Sequence, residues 1–398
     1  MTRPSIEVAD VVRAYGSSFL RKFGQLVSSA KRRVLDAIVS CRTAALGGHV
    51  DTCTACDHEV ISYNSCRNRH CPKCLGTAAA KWFAAREADL LPVRYFHVVF
   101  TVPAEIAEIA QQNKRVMYNI LMQASAETLL TVAADKKHLG ARIGFISVLH
   151  TWGQTLMHHP HVHVIVPGGG LSESGDAWIA CRLNFFMPVR VLAALFRGKF
   201  LAMTKGAFKR GELSFQGRLK SLEDEHALST WLAPCYKMNW VVYAKKPFGG
   251  PKQVLKYLAR YTHRVAISNQ RLLSVEGGRV RFRYKDYARK NKPRIMELDA
   301  GEFLRRFLLH VLPRGFMRIR HYGLFANACK QQNLKRTRVL LSDFGGDLAS
   351  SSGNNNHVDV GEHVHRCPAC GSTALVRVEL KRSLQSQSPR APPALVAL

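Results

Sequence analysis

Acidic residues are scarce in this chain of 398 residues. It carries 28 Asp and Glu against 58 Lys and Arg, which gives a formal net charge of +30. A cationic excess of this size, spread along the chain, favours nucleic acid as the partner over a localised patch for membrane lipids. The scarcity also argues against chemistry that needs three carboxylates around two metal ions, and no carboxylate lies in the run His161–Val166.

Long apolar runs and leader signals are also missing. No stretch of about 18 apolar residues occurs, and the closest candidate, 184–196, is interrupted by Arg190. The first five residues lack the apolar core of a signal peptide, and no P-loop pattern for a nucleotide triphosphate is present. We therefore expect a cytoplasmic protein without membrane contact, in which clustered cysteines bind metal rather than form disulfides.

Hydrophobic periodicity predicts helices and strands in mixed order. The predicted helices cover 5–40, 78–90, 103–131 and 252–264. The predicted strands cover 94–101, 143–150, 161–166 and 240–243, with a hairpin formed by 271–275 and 279–284. Residues 279–338 hold seventeen Lys and Arg against four Asp and Glu, so this part is the most basic.

Cysteine spacing is the strongest motif. Three CxxC pairs occur among the 11 cysteines, and two such pairs can complete a closed, tetrahedral zinc site. We predict that Cys53, Cys56, Cys71 and Cys74 form a structural zinc site. A second zinc site is predicted from the surplus ligands Cys41, His49, Cys66 and His70. The third pair, Cys367 and Cys370, is similar to half a zinc ribbon, and we expect His363 and His365 to be its other candidate ligands.

Two further patterns carry chemistry. His161 and His163 alternate with valines, so both project from one face of a strand and can hold a divalent metal if a third ligand joins them. Tyr257 and Tyr261 are spaced i, i+4, which places both on one helix face together with Arg264. A tyrosine hydroxyl near an arginine and a metal-bound phosphate is able to attack phosphorus.

In combination these stretches resemble the rolling-circle insertion-sequence transposases that carry an HUH motif, two histidines around a hydrophobic residue, and paired tyrosines. The matching stretches are LGGHV (46–50), YNSCRNRHCPKC (63–74), FHVVFTVP (96–103), HTWGQTLMHHPHVHVIVPGGGL (150–171), YLARYTHRVAISN (257–269) and FMRIRHYGL (316–324). They follow the order of the family and cover roughly residues 40–330.

The resemblance implies an α+β fold: an antiparallel, ferredoxin-like HUH palm sheet with helices, preceded by helices and a small zinc-binding module. We accordingly divide the chain into an N-terminal helical segment (1–40), a zinc-binding module (41–90), a tyrosine transposase catalytic domain with a basic DNA-binding C-terminal part (91–342), and a last region (343–398). That last region reads as a flexible linker, a possible Cys/His knuckle and a disordered tail.

By the same resemblance, His161 and His163 hold Mg²⁺ or Mn²⁺. Gln154 is the predicted third ligand, with His158 and His263 as rivals. The implied activity is that of a metal-dependent endonuclease and strand-transferase acting on single-stranded DNA at the ends of the element. Tyr257 or Tyr261 would attack, leaving a 5′-phosphotyrosine and a free 3′-hydroxyl, and no nucleotide triphosphate would be needed.

Basic residues near these motifs are the predicted DNA contacts: Arg67, Arg69, Arg281, Arg283, Lys285, Arg318 and Arg320. Two alternatives keep parts of this interpretation. A plasmid replication initiator or conjugative relaxase would share the tyrosine chemistry, and a non-catalytic zinc-dependent nucleic-acid-binding protein would use charge and aromatic residues alone. A zinc hydrolase is the third choice, and it would need an open, water-activating site.

Overall fold

A computed structural model describes residues 6–182, 186–245, 253, 266–289, 291–343 and 365–382. The chain divides into two units. The first is formed by residues 1–78, 263–311 and 352–398, and the second by residues 79–262 and 312–351. Both ends of the chain therefore belong to the first unit.

The described residues combine helices with antiparallel strands. The strands are β1 Gly48–Cys53, β2 Glu59–Tyr63, β3 Tyr95–Thr101, β4 Gly144–Trp152, β5 His158–Pro167, β6 Gly169–Leu171, β7 Trp178–Ala180, β8 Val242–Lys245, β9 Leu272–Glu276, β10 Arg279–Asp286, β11 Lys292–Asp299, β12 Ile319–Gly323 and β13 Leu375–Leu380. The helices are α1 Val8–Phe23, α2 Ser29–Ser40, α3 Pro72–Glu87, α4 Ala104–Gln112, α5 Lys114–Ala134, α6 Val189–Lys209 and α7 Glu225–Lys237, followed by Ala300–Leu309 and Lys330–Asp343.

The second unit is built on a five-stranded sheet in the order β12-β4-β5-β3-β8. All four strand pairs are antiparallel. β-branched and aromatic runs such as FHVVF in β3 and HVIV in β5 explain why these segments are strands. β4, β5 and β3 therefore lie at the centre of the sheet, each with a neighbour on both sides.

The two faces of this sheet are covered differently. On one face, Val98 and Phe100 of β3 and Val164 of β5 are fully buried in a core that includes residues of helices α4 to α7. On the opposite face, Ile146 and Ile165 pack in a smaller core with the buried residues Leu91, Val93, Tyr95, Leu324, Phe325 and Leu334. Because side chains alternate along a strand, His161 and His163 share this second face with Ile165.

The first unit contains two three-stranded antiparallel sheets. One has the order β13-β1-β2 and the other β11-β10-β9. The second of these packs with α1 and the helix Ala300–Leu309 through buried side chains such as Phe282 and Phe303, whose ring centroids are 6.0 Å apart. Asp299 begins that helix by accepting hydrogen bonds from the backbone N–H groups of Gly301 and Glu302.

The expected α+β class is confirmed by this arrangement of helices and antiparallel sheets. The predicted helix over 5–40 is in fact two helices, because Gly24–Leu26 forms a 3-10 turn between them. The sequence patterns missed the helices α6, α7, Ala300–Leu309 and Lys330–Asp343 and the strands β1, β2, β6, β7, β11, β12 and β13. The predicted helix over 252–264 lies outside the described residues except for Gln253. Among the residues described, no helix is both long and apolar enough to cross a membrane.

Candidate functional site

Three histidines meet on the second face of the five-stranded sheet. His161 and His163 lie on β5, and His150 lies on the neighbouring strand β4, directly opposite His161 in the register. One ligand nitrogen from each ring lies within 4.8 Å of the others. We call His150, His161 and His163 the histidine cluster. Its geometry suits a single divalent ion, since two ligands come from one strand and the third from its neighbour.

The proton states of these rings also suit metal binding. His161 Nδ1 lies 2.7 Å from the backbone oxygen of His159, so Nδ1 carries the proton and the lone pair is on Nε2. Burial lowers the pKa of His161 to about 4 and holds the pKa of His163 well below its usual range. Both rings are therefore neutral near pH 7 and able to donate a lone pair.

A fourth histidine supports the cluster from β3. His97 Nε2 lies 2.7 Å from His163 Nδ1, and both rings are buried. Burial, reinforced by the positive charge of Lys245, lowers the pKa of His97 to about 4. Because both rings are neutral, one of the two nitrogens donates its proton to the other. Sequence reasoning missed His97, although its position between the apolar residues Phe96 and Val98 of a predicted strand places it on the opposite face from them.

The predicted third ligands lie in different places. Gln154 is in the turn that joins β4 to β5. His158 points to the helical face, where its Nε2 lies 2.7 Å from the Tyr118 hydroxyl and its Nδ1 is 3.1 Å from the backbone oxygen of Ala107. His263 lies outside the described residues. His150 was not predicted as a metal ligand, although it is the last residue of the predicted strand 143–150.

The predicted nucleophiles cannot be placed in the same way. Tyr257, Tyr261 and Arg264 all lie outside the described residues. One described tyrosine, Tyr243 of β8, pairs with Val99 of β3 and therefore shares the histidine face of the sheet. Its side chain is 56% exposed.

The cysteines group differently from the predicted sets. In the first unit, one group is Cys41, Cys66, Cys71 and Cys74, which we call the helix-start cluster because α3 begins at Pro72. The other group is Cys53, Cys56, Cys367 and Cys370, which we call the two-knuckle cluster. The predicted union of Cys53 and Cys56 with Cys71 and Cys74 is not formed. Spacing identifies each CxxC knuckle, but it does not determine which other cysteines the fold places next to that knuckle.

The histidines predicted for a second zinc site stand apart from both groups. His49 Nε2 lies 3.5 Å from an Asp51 carboxylate oxygen. His70 Nδ1 lies 3.2 Å from the side-chain oxygen of Asn68, and the His70 ring is buried. Neither belongs to a described group of candidate ligands. His365 is likewise not a member of the two-knuckle cluster, and His363 lies outside the described residues.

The helix-start cluster fits a zinc ion. Cys74 Sγ lies 3.5 Å from Cys41 Sγ and 3.6 Å from Cys66 Sγ. A tetrahedral zinc with bonds of about 2.3 Å places its sulfur ligands about 3.8 Å apart. Hydrogen bonds among the four thiols lower the pKa of Cys41 and of Cys74 and raise the pKa of Cys66 and of Cys71. A zinc ion deprotonates every thiol that coordinates it.

The predicted DNA contacts differ in exposure. Arg67 is exposed and Arg69 is half-buried. On β10, Arg281, Arg283 and Lys285 are exposed at alternating positions and so lie on one face of the sheet.

Two predicted contacts near β12 are less accessible. Arg318 is only 8% exposed. Arg320 donates to Asn119 Oδ1 and to the backbone oxygen of Met317. Arg320 thus contacts residues of its own unit, and the side chain of Arg318 is largely shielded from solvent.

Two protein families match the chain. A family described as "Transposase zinc-binding domain" matches residues 11–102, and a family described as "Putative transposase" matches residues 144–333. The first range contains the helix-start cluster, and the second contains the histidine cluster. The two ranges therefore separate the helix-start cluster from the histidine cluster, while His97 lies in the first range and Cys367 and Cys370 lie in neither.

Relatives match over longer stretches. The "Putative transposase y4qJ" of Sinorhizobium fredii (strain NBRC 101917 / NGR234) is 50% identical over 385 residues, which are 96% of each chain. The "Transposase for insertion sequence element IS801" of Pseudomonas savastanoi pv. phaseolicola is 28% identical over 307 residues, 76% of this chain and 72% of the relative.

Among solved structures, the conjugative relaxase TrwC in complex with oriT DNA matches 42% of this chain and 71% of that chain, at 12% identity. The TM-score of 0.24 is too low for this likeness to carry an argument.

Proposed function

Because this chain belongs to the family of rolling-circle insertion-sequence transposases with an N-terminal zinc-binding domain, we propose that it cuts and rejoins single-stranded DNA at the ends of its element. The proposed reaction proceeds through a covalent 5′-phosphotyrosine. One observation carries the proposal: three imidazoles converge on adjacent central strands of an antiparallel sheet. A protein that only bound nucleic acid would have no need of such a cluster.

The donor set fits a divalent cation. His150, His161 and His163 would hold it, and His161 presents Nε2 because its Nδ1 donates to the His159 carbonyl. Imidazole nitrogens suit transition metals better than Mg²⁺, which prefers oxygen ligands, so of the two expected ions we favour Mn²⁺. When bound, the ion would polarise the scissile phosphate and fix its orientation.

His97 would act as a positioning residue. If His163 ligates through Nε2, its Nδ1 carries the proton and donates it to His97 Nε2, 2.7 Å away. This hydrogen bond would fix both the tautomer and the ring angle of His163. The ring planes of the two histidines are 5° apart, with centroids separated by 4.9 Å, which restricts rotation of either ring.

The covalent step would belong to Tyr257 or Tyr261. The phenolic oxygen forms a bond to phosphorus as the bond from phosphorus to the 3′ oxygen breaks. The tyrosine gives its proton to solvent, and the 3′ oxygen takes up a proton and leaves as a free hydroxyl. Rejoining is the reverse, with an acceptor 3′-hydroxyl attacking the phosphotyrosine. The number and chemical type of the bonds are conserved, so no nucleotide triphosphate is consumed.

The second tyrosine would allow a second DNA cleavage within one reaction. While the first tyrosine carries a DNA end, the other remains available to cut another strand. The support for this pair is its i, i+4 spacing in KYLARYTHR, which predicts that both tyrosines and Arg264 share one helix face, so that the arginine would balance charge on the phosphate.

Strand β10 would supply phosphate contacts. Arg281, Arg283 and Lys285 are exposed on one face of the sheet β11-β10-β9. Arg281 has Glu297 as a cross-strand neighbour at 3.7 Å, and half of its side chain stays exposed. A surface of this kind binds nucleic acid through its backbone rather than its sequence.

The proposal is tested by incubating purified protein and Mn²⁺ with labelled single-stranded oligonucleotides that span an element end. A denaturing gel should show a labelled protein adduct with the wild-type chain. It should show none with the double variant Tyr257→Phe/Tyr261→Phe, which should still bind DNA. Tyr243→Phe is the matched control and should form the adduct, since this tyrosine lies on the histidine face but outside the KYLARYTHR motif.

Failure of the wild-type protein, folded and metallated, to form any adduct would remove the proposal. If DNA binding persists in that case, the non-catalytic zinc-dependent nucleic-acid-binding protein becomes the better account. A product that carries a 5′-phosphate and is never attached to protein would instead favour water as the nucleophile, as in a metal-dependent hydrolase.

A further inference from the structure

The C-terminal segment is part of the N-terminal sheet. β13 pairs antiparallel with β1 over six positions, from Gly48 opposite Leu380 to Cys53 opposite Leu375. Across the same pair of strands, Arg377 donates two hydrogen bonds to the Asp51 carboxylate, at 2.6 and 2.9 Å. Asp51 is buried, and the guanidinium holds its pKa below the usual range. The fold thus brings together residues from opposite ends of the chain.

Two loops at the end of this sheet have the same backbone hydrogen bonds. In the N-terminal loop, the Asp57 N–H donates to the Cys53 carbonyl at 2.8 Å, and the Cys53 N–H donates to the His58 carbonyl at 3.0 Å. In the C-terminal loop, the Gly371 N–H donates to the Cys367 carbonyl at 2.8 Å, and the Cys367 N–H donates to the Ser372 carbonyl at 2.8 Å.

The residue after the second cysteine is left-handed in both loops. Asp57 has φ of 54° and Gly371 has φ of 74°. This conformation turns the chain back after two sulfur atoms have been presented on one side, which is the shape of a CxxC knuckle in a closed zinc site. Two knuckles with the same hydrogen bonds, arranged face to face, are not expected of cysteines that serve only as core residues.

The sulfur atoms meet across the two loops. Cys53 Sγ lies 3.6 Å from Cys370 Sγ, and Cys56 Sγ lies 3.6 Å from Cys367 Sγ. These separations are close to the roughly 3.8 Å between sulfur ligands of a tetrahedral zinc. They are much longer than the roughly 2.05 Å of a disulfide bond.

We propose that the two-knuckle cluster is a second structural zinc site, with half of its ligands supplied by residues near the C-terminus. Each thiol gives its proton to solvent as its sulfur binds the ion, so the step changes protonation and no oxidation state. The site is closed, with four protein ligands, and its role is to join β13 and its knuckle to the N-terminal module. The zinc-binding match at 11–102 contains only Cys53 and Cys56 of this set.

One consequence concerns the C-terminal segment itself. Residues 365–382 form an edge strand and two metal ligands of the module, so their removal would leave Cys53 and Cys56 without a complete site. A variant that ends before residue 365 should therefore bind one zinc ion fewer than the full-length protein, even though it keeps all the residues of the zinc-binding match (11–102). This inference does not depend on the tyrosine chemistry proposed above.

The test is the zinc content of the full-length protein, purified under reducing conditions and measured by atomic emission. Every protein measured carries His161→Ala and His163→Ala, so that the histidine cluster holds no further zinc. Two zinc ions per chain are expected when all the cysteines are present. The variants Cys367→Ser/Cys370→Ser and Cys53→Ser/Cys56→Ser should each hold one. Cys181→Ser/Cys329→Ser is the matched control and should hold two, because neither cysteine belongs to a cluster.

A value of one zinc per chain with all the cysteines present would overturn the proposal, and so would two zinc ions in a folded Cys367→Ser/Cys370→Ser variant. Cobalt substitution of the wild-type protein gives a second measurement that needs no variant. The intensity of the sulfur-to-cobalt band should correspond to eight thiolate ligands per chain, and an intensity of half that value would contradict the second site. Neither result depends on whether the protein cuts DNA.

Discussion

His97 Nε2 lies 2.7 Å from His163 Nδ1, between strands β3 and β5 at the centre of the sheet. Residues that hold a metal ligand in place in this way typically contribute 10- to 100-fold to metal affinity. We expect His97→Phe to raise the Mn²⁺ concentration needed for half-maximal adduct formation by about 10- to 100-fold, with the yield recovering at saturating Mn²⁺. A Mn²⁺ titration of the gel assay measures this shift.

The controls for that experiment separate positioning from folding. His97→Gln keeps a hydrogen-bond acceptor and should restore part of the affinity. His158→Gln alters a histidine on the helical face, where it contacts Tyr118, and should leave the Mn²⁺ dependence unchanged. A His97→Phe defect that saturating Mn²⁺ cannot relieve would indicate a structural role instead.

Substitutions of His150 and of Gln154 distinguish between these two candidates for the third metal ligand. His150→Ala should abolish Mn²⁺-dependent adduct formation while DNA binding persists, because it removes one of the three nitrogens of the histidine cluster. Gln154→Ala, in the β4–β5 turn, should reduce the yield far less. Metal-dependent adduct assays on both variants decide the matter. A larger loss of adduct with Gln154→Ala than with His150→Ala would instead support Gln154 as the third ligand, as predicted from the sequence.

The buried imidazoles predict an acid-sensitive second unit. Burial lowers the folded-state pKa of His161 and of His97 to about 4, against an unfolded value of about 6.5. The unfolded state therefore binds more protons between these values, and the free energy of unfolding falls as pH drops from about 6.5 towards 4, by at most about 1.4 kcal/mol per pH unit for each histidine.

Thermal unfolding without added Mn²⁺, followed from pH 7 to pH 4.5, measures this effect. His161→Gln should flatten the slope, since the variant has one fewer group that titrates. An identical slope in that variant would show that other buried histidines of the second unit, such as His158, whose pKa burial lowers to about 3, determine the acid sensitivity.

Electrostatic binding by β10 predicts a change in salt dependence. The triple variant Arg281→Ala/Arg283→Ala/Lys285→Ala removes three exposed charges. The slope of log K against log salt for single-stranded DNA should therefore become less steep by about 2, at about 0.7 per phosphate contact. Fluorescence anisotropy at several salt concentrations measures it. Lys209→Ala/Lys220→Ala removes charges that are 69% and 68% exposed, and it should leave the slope nearly unchanged.

The sequence predicts the chemistry of these sites better than their assembly. Alternation alone places His161 and His163 on one face, and the structure agrees because β5 is a regular central strand. His97 and His150 are brought to that face by strand pairing, which is a long-range property that no local pattern contains. The pairing of these strands therefore could not be predicted from local sequence patterns.

The cysteines show the same limit. Each CxxC knuckle is readable from spacing, yet Cys53 and Cys56 meet Cys367 and Cys370, more than 300 residues away, rather than Cys71 and Cys74. The pairing follows from β13 joining β1, and a six-residue edge strand rich in alternating charges gives only a weak signal in sequence. Helices α6 and α7 were missed for a related reason. Their apolar residues make packing surfaces for the sheet. Helix α6 lacks a side-chain cap like that of Ser28 in α2, whereas α7 has one in Asp224, which the sequence patterns overlooked.

The central claim is that a tyrosine of this chain becomes covalently attached to DNA. The most direct measurement is mass spectrometry of the protease-digested adduct, which identifies the peptide that carries the nucleotide. The account predicts a 5′-phosphate linkage on Tyr257 or Tyr261, with Mn²⁺ required for its formation. A linkage on Tyr243 or on any other residue, or nicked DNA with no nucleotide-bearing peptide, would contradict it.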